Sequence, residues 1–262
     1  LFAEHKMTVF YAIIPSRMKS TRLPEKPLKD IAGRPMVVRV AERAKASGAA
    51  DVVVATDHED IVKACESHGV KVVLTSPNHP TGTDRLAETV TKLGLADDAI
   101  VVNVQGDEPL IPTNVVREVA ELLAAHPECE MATAGHPIDN IEEFLNPNVV
   151  KVVRDAQGNA ITFSRAPIPW PRDAFREDKT QLPEGLVPLR HIGLYAYRVK
   201  FLKRYPQWEQ APIEKWESLE QLRALYYGVK IAVAILPGAL PAGVDTQEDL
   251  DRVREVFARG EA

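Results

Sequence analysis

The sequence predicts an α/β fold with a largely parallel central sheet, helices on both faces and a mixed, hairpin-containing second half. Three observations lead there. Short Val- and Ile-rich runs alternate with longer amphipathic segments through residue 125, the rhythm of strand–helix repeats. Three of the four amphipathic segments end at glycines, as helices do. Beyond about residue 136 the rhythm breaks into strand pairs, proline-rich loops and isolated helices.

The elements follow in order. Residues 9–14 form a short apolar run that stops at Pro15, the pattern of a buried strand. Pro35 can open a helix whose apolar stripe is Val37, Val38, Ala41 and Ala44, with Gly48 as its stop. Residues 51–55 read as the second strand, 58–68 as a helix ended by Gly69, and 71–74 as the third strand. A helix over 84–93 closes at Gly94, a strand covers 99–104, and a helix covers 112–125. Four such repeats imply parallel strands with helices on both faces. Residues 149–154 and 160–163 flank a polar turn at 155–159, which predicts a hairpin. Residues 172–188, rich in charge and proline, read as a loop. A strand over 189–197, one helix over 213–227, a strand over 230–236 and a helix over 247–258, N-capped by Thr246, complete the chain. Trp208 and Trp216 fall near apolar helical positions and read as packing residues. Residues 7–262 read as a single domain, with 136–212 an irregular region inside it. Residues 1–6, ahead of Met7, read as an artificial extension or a frayed end.

The 262 residues are 45% hydrophobic and 26% charged, ordinary for a globular chain. No stretch approaches the roughly 18 consecutive apolar residues of a membrane span, and no secretory signal pattern is present. Cys65 and Cys129 lie far apart, which argues against a disulfide framework and fits a reducing cytoplasm. A net charge of −5 disfavours general nucleic-acid binding. Yet Arg17, Lys19, Arg22, Lys26, Lys29 and Arg34 crowd one segment against only Glu25 and Asp30. Such a segment is either a solvated basic face or a grip for a small polyanion.

Open parallel sheets bind ligands at the carboxyl ends of their strands. Those ends carry Pro15-Ser16-Arg17, Thr56-Asp57, Gln105-Gly106-Asp107-Glu108-Pro109 and, late in the chain, Gly243-Val244-Asp245-Thr246. Arginine grips phosphate with two donors and lysine adds a compact charge. Neither GxxxxGK[ST] nor GxGxxG occurs, so kinase-type phosphate loops and dinucleotide fingerprints are unsupported. Asp107 and Asp245 could meet around a hard cation such as Mg²⁺; each alone reads equally as a turn or capping residue. His191, Gly193 and Tyr195 share one strand face, either a ligand platform or ordinary packing. Glu220 and Gln221 sit on a helix, where solvent is the usual destination.

These residues also match a family pattern. Ile13-Ile14-Pro15-Ser16-Arg17 and Ser20-Thr21-Arg22-Leu23-Pro24-Glu25-Lys26-Pro27-Leu28 closely resemble the opening signature of CMP-Kdo synthetases, the 3-deoxy-manno-octulosonate cytidylyltransferases. The resemblance continues through Ala55-Thr56-Asp57, Thr81-Gly82-Thr83-Asp84-Arg85, Val104-Gln105-Gly106-Asp107-Glu108-Pro109 and Phe163-Ser164-Arg165-Ala166-Pro167-Ile168-Pro169-Trp170. It ends with Arg190-His191-Ile192-Gly193-Leu194-Tyr195, Glu220-Gln221-Leu222-Arg223 and Gly243-Val244-Asp245-Thr246. Two departures are mild: the family often has Ala where Ser16 stands and Glu where Asp84 stands.

The resemblance implies a Rossmann-like nucleotide-diphospho-sugar transferase fold. It implies attack of the anomeric hydroxyl of 3-deoxy-D-manno-octulosonate (Kdo) on the α-phosphorus of CTP, giving CMP-Kdo for lipopolysaccharide biosynthesis. By the same resemblance, Ser16, Arg17, Arg22, Lys26, Gly82, Thr83, Arg85 and Gln105 bind the nucleotide. Arg165, His191, Tyr195, Glu220 and Gln221 form the pocket for the acidic sugar, with Arg165, or His191 beside it, facing the carboxylate. Asp107 and Asp245 hold Mg²⁺, and Arg17 and Lys26 complete the catalytic set. A homodimer in the cytoplasm is implied, with 136–212 serving sugar binding and dimer contacts. Rival readings are another acidic sugar, such as a sialic acid or amino-Kdo, and a non-catalytic nucleotide-binding protein.

Overall fold

A computed structural model describes residues 7–262; the expectation for residues 1–6 lies outside them. Strand β1 (Phe10–Ser16) is followed by α1 (Met36–Ala46), β2 (Asp51–Thr56), α2 (Glu59–Ser67) and β3 (Lys71–Leu74). Next come α3 (Gly82–Lys92), β4 (Ile100–Asn103), α4 (Thr113–Ala125), β5 (Met131–Pro137) and α5 (Ile141–Leu145). A hairpin of β6 (Lys151–Arg154) and β7 (Ala160–Ser164) precedes the short α6 (Ala174–Glu177) and the long β8 (Leu189–Arg198). The chain closes with α7 (Val199–Arg204), α8 (Pro212–Glu217), α9 (Gln221–Tyr226), β9 (Ile231–Ile235) and α10 (Gln247–Ala258).

Among the described residues the main sheet has nine strands, in the order β9-β5-β8-β4-β1-β2-β3, with the hairpin attached to β8. β1 runs parallel to β2 and β4, and β9 parallel to β5, while β8 is antiparallel to its neighbours. Strand alternation feeds both faces. Ala12 and Ile14 join the cluster under α1 and α4, whereas Ile13 joins the opposite cluster with Leu86 of α3 and Leu202 of α7. The chain order reverses at β1, between β4 and β2, and such a switch opens a crevice beyond the strand ends.

Helix stops behave as the sequence indicates: Gly48, Gly69 and Gly94 all take positive φ, at 83°, 68° and 63°. Thr246 caps α10 through a reciprocal pair with Asp249. Four expectations need correction. The helix over 213–227 is two helices, because Ser218 turns left-handed at φ 50°. Trp216 does not pack but is 90% exposed. Part of the 172–188 loop winds into α6. A strand, β5, occupies the sheet interior where none was expected; its sequence MATAGHP lacks the β-branched density of the other strands.

Candidate active site

The basic segment leaves β1 and turns through Glu25, held left-handed at φ 55°, before a one-turn helix, Lys26–Leu28. This delivers the Lys26 ammonium to a point between two loops. Its Nζ donates to Asp107 Oδ2 at 2.9 Å, Asp245 Oδ1 at 3.3 Å and the Val244 carbonyl at 3.0 Å. Arg22 Nη2 lies 3.2 Å from the other Asp245 oxygen. The two aspartates, 138 positions apart in sequence, therefore meet on one atom.

Glycines permit the meeting. A Cβ on Gly106 would stand 3.0 Å from the Pro15 carbonyl, and one on Gly243 would stand 3.0 Å from the Asp107 carbonyl. Without side chains there, the loops close enough for Val244 N–H to donate to the Asp107 carbonyl at 2.8 Å. Asp245 is fixed from behind by Asp249, which accepts from the amides of Asp245 and Thr246, each at 3.0 Å. Burial, and then the adjacent Asp107 charge, pushes the Glu108 carboxyl up to about 7. Arg17 donates to the His79 carbonyl at 2.9 Å, in the loop before α3.

Beside this cluster opens a cavity of about 390 Å³. Pro15, Asn103 and Gln105 line it from the ends of β1 and β4, and Gly82 and Thr83 from the start of α3. Gly193, Tyr195 and Tyr197 contribute from β8, and Glu220 and Gln221 from the start of α9. The register of β8 against β5 slips between Ile192 and Ala196, and Thr133 fills the gap by donating to the Ile192 and Leu194 carbonyls at 3.0 and 2.8 Å. That bulge turns Gly193 and Tyr195 toward the cavity. Burial raises the Glu220 pKa. Asn103 Oδ1, Tyr205 Oη and Glu220 Oε1 are buried without hydrogen-bond partners, so the wall of this cavity retains polar capacity.

Besides Arg17, four expected site residues belong to neither the Lys26 cluster nor the cavity lining. Arg85 is fully buried beneath the cleft, paired with Asp57 at 2.9 Å and bonded to Thr75; a guanidinium needs such partners when it leaves water, and here they anchor β2 to α3. Arg165 spends its guanidinium on backbone carbonyls, Glu217 at 2.6 Å, Pro147 at 3.1 Å and Ser218 at 3.5 Å. His191 sits behind Tyr195, its ring 4.8 Å from Phe163 and 5.5 Å from Tyr195. Burial lowers its pKa to about 3, which favours the neutral imidazole. Ser16 is buried under Gly106, its hydroxyl unpartnered.

A cytidylyltransferase family model matches residues 11–231. The chain is 58% identical over 250 residues to a 3-deoxy-manno-octulosonate cytidylyltransferase of Herminiimonas arsenicoxydans, covering 95% of this chain and 99% of that protein. The chain belongs to the 3-deoxy-manno-octulosonate cytidylyltransferase family. A solved CMP:2-keto-3-deoxy-manno-octonic acid synthetase, complexed with CTP, is similar to it with a TM-score of 0.86 and 40% identity, over 96% of this chain and 99% of that one. A cytidylyltransferase from Leptospira borgpetersenii, at 18% identity and a TM-score of 0.59 over 97% of this chain and 87% of that one, shares the fold.

For a 3-deoxy-manno-octulosonate cytidylyltransferase, the cavity brings together Gly82, Thr83, Gln105, Tyr195, Glu220 and Gln221. Sequence reading overlooked Asn103, Tyr197 and Tyr205. A lone Asn inside the run Ile-Val-Val-Asn-Val, and a second Tyr two places after Tyr195 on the same strand face, were the available signals. Among the described residues no helix is long and apolar enough to cross a membrane.

Proposed function

We infer that the chain joins CTP to Kdo through a division of labour between the Lys26 cluster and the adjoining cavity, releasing pyrophosphate. The observation that carries it is the convergence of Asp107 and Asp245 on one cationic atom beside a cavity with unpartnered polar groups. Arg17, Arg22 and Lys26 neutralise the triphosphate, and Lys26 follows the charge that builds on the α-phosphate and leaving group. Gly82, Thr83 and Gln105 seat the nucleoside portion. Tyr195, Glu220 and Gln221 hold the sugar so that its anomeric hydroxyl lies in line with the phosphorus. Arg165 meets the sugar carboxylate by exchanging neutral carbonyl partners for a charged one, an exchange favoured because charge-assisted hydrogen bonds are stronger.

The donor set fits magnesium. Two carboxylates and a carbonyl already surround a cation, the Lys26 ammonium. Mg²⁺ characteristically takes one or two protein carboxylates, with phosphate oxygens and water completing its shell. Asp107 and Asp245 would hold it. When bound, it supplies charge neutralisation at the phosphates and lowers the pKa of a nearby hydroxyl.

Residues 7–262 act as one domain, with 136–212 serving the sugar and a homodimer contact. Tyr195, Tyr197, Phe201 and Tyr205 of that range line the cavity, and Trp170 and Val187 leave apolar surface exposed; light scattering tests the dimer. Two buried free thiols, Cys65 and Cys129, suit a cytoplasmic protein. The direct test is pyrophosphate release with CTP, Mg²⁺ and Kdo, with UTP and sialic acid as controls. Release from CTP and Kdo alone supports the assignment; equal release with sialic acid contradicts the sugar.

A further inference from the structure

Between α8 and α9 the chain makes a tight turn, and its far side presents Glu220 and Gln221 to the cavity. What holds that turn is a side chain outside the cavity. The Glu217 carboxylate accepts from Ser164 Oγ at 2.6 Å through Oε1 and from the Arg165 amide at 2.9 Å through Oε2. Both donors lie at the end of β7 and just beyond it, so one carboxylate staples the sheet to the turn. The β7 end is itself anchored: fully buried Lys151 donates to the Arg165 carbonyl at 2.7 Å and to the Asn146 carbonyl at 3.0 Å. On the other flank, Glu214 grips Arg223 with bonds of 2.8 and 2.7 Å. Ser218, next to Glu217, carries the left-handed φ of 50° that lets the chain reverse, a conformation that persists only where its surroundings fix it.

We propose that Glu217 is a positioning residue for sugar binding: its carboxylate, locked to Ser164 and the Arg165 amide, sets where Glu220 and Gln221 stand in the cavity. The proposal rests on the reading of the cavity as the sugar pocket. It does not depend on the Arg165 guanidinium, because the staple uses that residue's backbone amide, and it persists if the guanidinium swings to a substrate carboxylate. A displacement of about 1 Å in positioning groups can cost on the order of 100-fold, so losing the staple has kinetic consequences without removing a contacting group. Glu217→Gln keeps one acceptor for the amide and offers an NH₂ to Ser164 Oγ, so it preserves most of the staple.

The test is steady-state kinetics of pyrophosphate release for Glu217→Ala, Glu217→Gln, Ser164→Ala and Glu220→Gln beside the unaltered enzyme, with melting temperatures for each. Glu217→Ala is expected to raise KM for Kdo at least about tenfold while KM for CTP stays within about twofold. Glu217→Gln should return KM for Kdo to within about threefold of the original. If Glu217→Ala fails to fold, Ser164→Ala carries the test, with a rise of several-fold in KM for Kdo alone. An unchanged KM for Kdo in both variants, or equal rises for CTP and Kdo, overturns the proposal. A Kdo effect from Glu220→Gln but not from Glu217→Ala overturns the staple and leaves the sugar pocket standing. The reverse pattern overturns the route through Glu220.

Discussion

Replacing Lys26 by Met exposes the electrostatics of the site in a form that can be measured. The substitution keeps a long unbranched chain and removes the charge. Asp107 and Asp245 oxygens, at 2.9 and 3.3 Å from the lost nitrogen, are then left facing one another within about 6 Å. At an effective dielectric of about 20, two unit charges at that distance repel by about 3 kcal/mol. Partial exposure of both carboxylates reduces this to roughly 1–2 kcal/mol. For a chain of this size the melting temperature falls by roughly 3–6 °C. A divalent cation should take over the task of the ammonium, so Mg²⁺ should stabilise Lys26→Met more than the unaltered protein. The assay is thermal melting of both proteins in EDTA and in Mg²⁺, alongside pyrophosphate release, which should collapse in the variant. Equal melting of the two proteins in EDTA, or an equal Mg²⁺ increment for both, would refute the reasoning.

Gly106→Ala and Gly243→Ala each bring a methyl to 3.0 Å from a backbone carbonyl, of Pro15 and of Asp107 respectively; each should cost about 1–3 kcal/mol and lower kcat, and wild-type kcat in both would deny the close approach. His191 titrates at about 3 in the fold against an ordinary 6.5. The unfolded chain therefore takes up a proton below pH 6.5 that the native state refuses. Its contribution to stability is complete above 6.5 and is lost as the pH falls toward 3, reaching at most about 2 kcal/mol of loss at pH 5. His191→Gln should remove that part of the slope in melts at pH 7.5 and pH 5, and an unaltered slope would contradict it. Glu214→Ala strands Arg223 in the interior and should destabilise by about 3–5 kcal/mol, read as a fall in melting temperature; a change below about 1 kcal/mol would mean that water solvates the guanidinium.

The first half of the fold was legible because each strand there is a Val- and Ile-rich run closed by a turn signal, and α1, α2 and α3 each end at a glycine at positive φ. β5 escaped because its interior position is held by small residues; Ala132 and Ala134 pair with β8 and β9 and are fully buried without supplying a Val- or Ile-rich signal. The break between α8 and α9 escaped because Ser218 is not a residue that announces a left-handed turn. Among candidate site residues, the meeting of Asp107 and Asp245 with Lys26 and Arg22 was legible, since switch-point topology brings strand ends together whatever their sequence distance. Arg85, Arg165 and His191 show the converse limit. Their chemistry suits a ligand, but what each touches depends on tertiary partners, Asp57, three backbone carbonyls and Phe163, that no spacing encodes.

The meeting of Asp107 and Asp245 around a substrate-bound cation is tested most directly by diffraction from crystals grown with CTP and Mn²⁺ in place of Mg²⁺. The expected result is one anomalous peak touching a carboxylate oxygen of each aspartate and a phosphate oxygen, with Lys26 moved from between them onto the phosphates. A peak that touches neither aspartate, with Lys26 still bridging the pair, would contradict it.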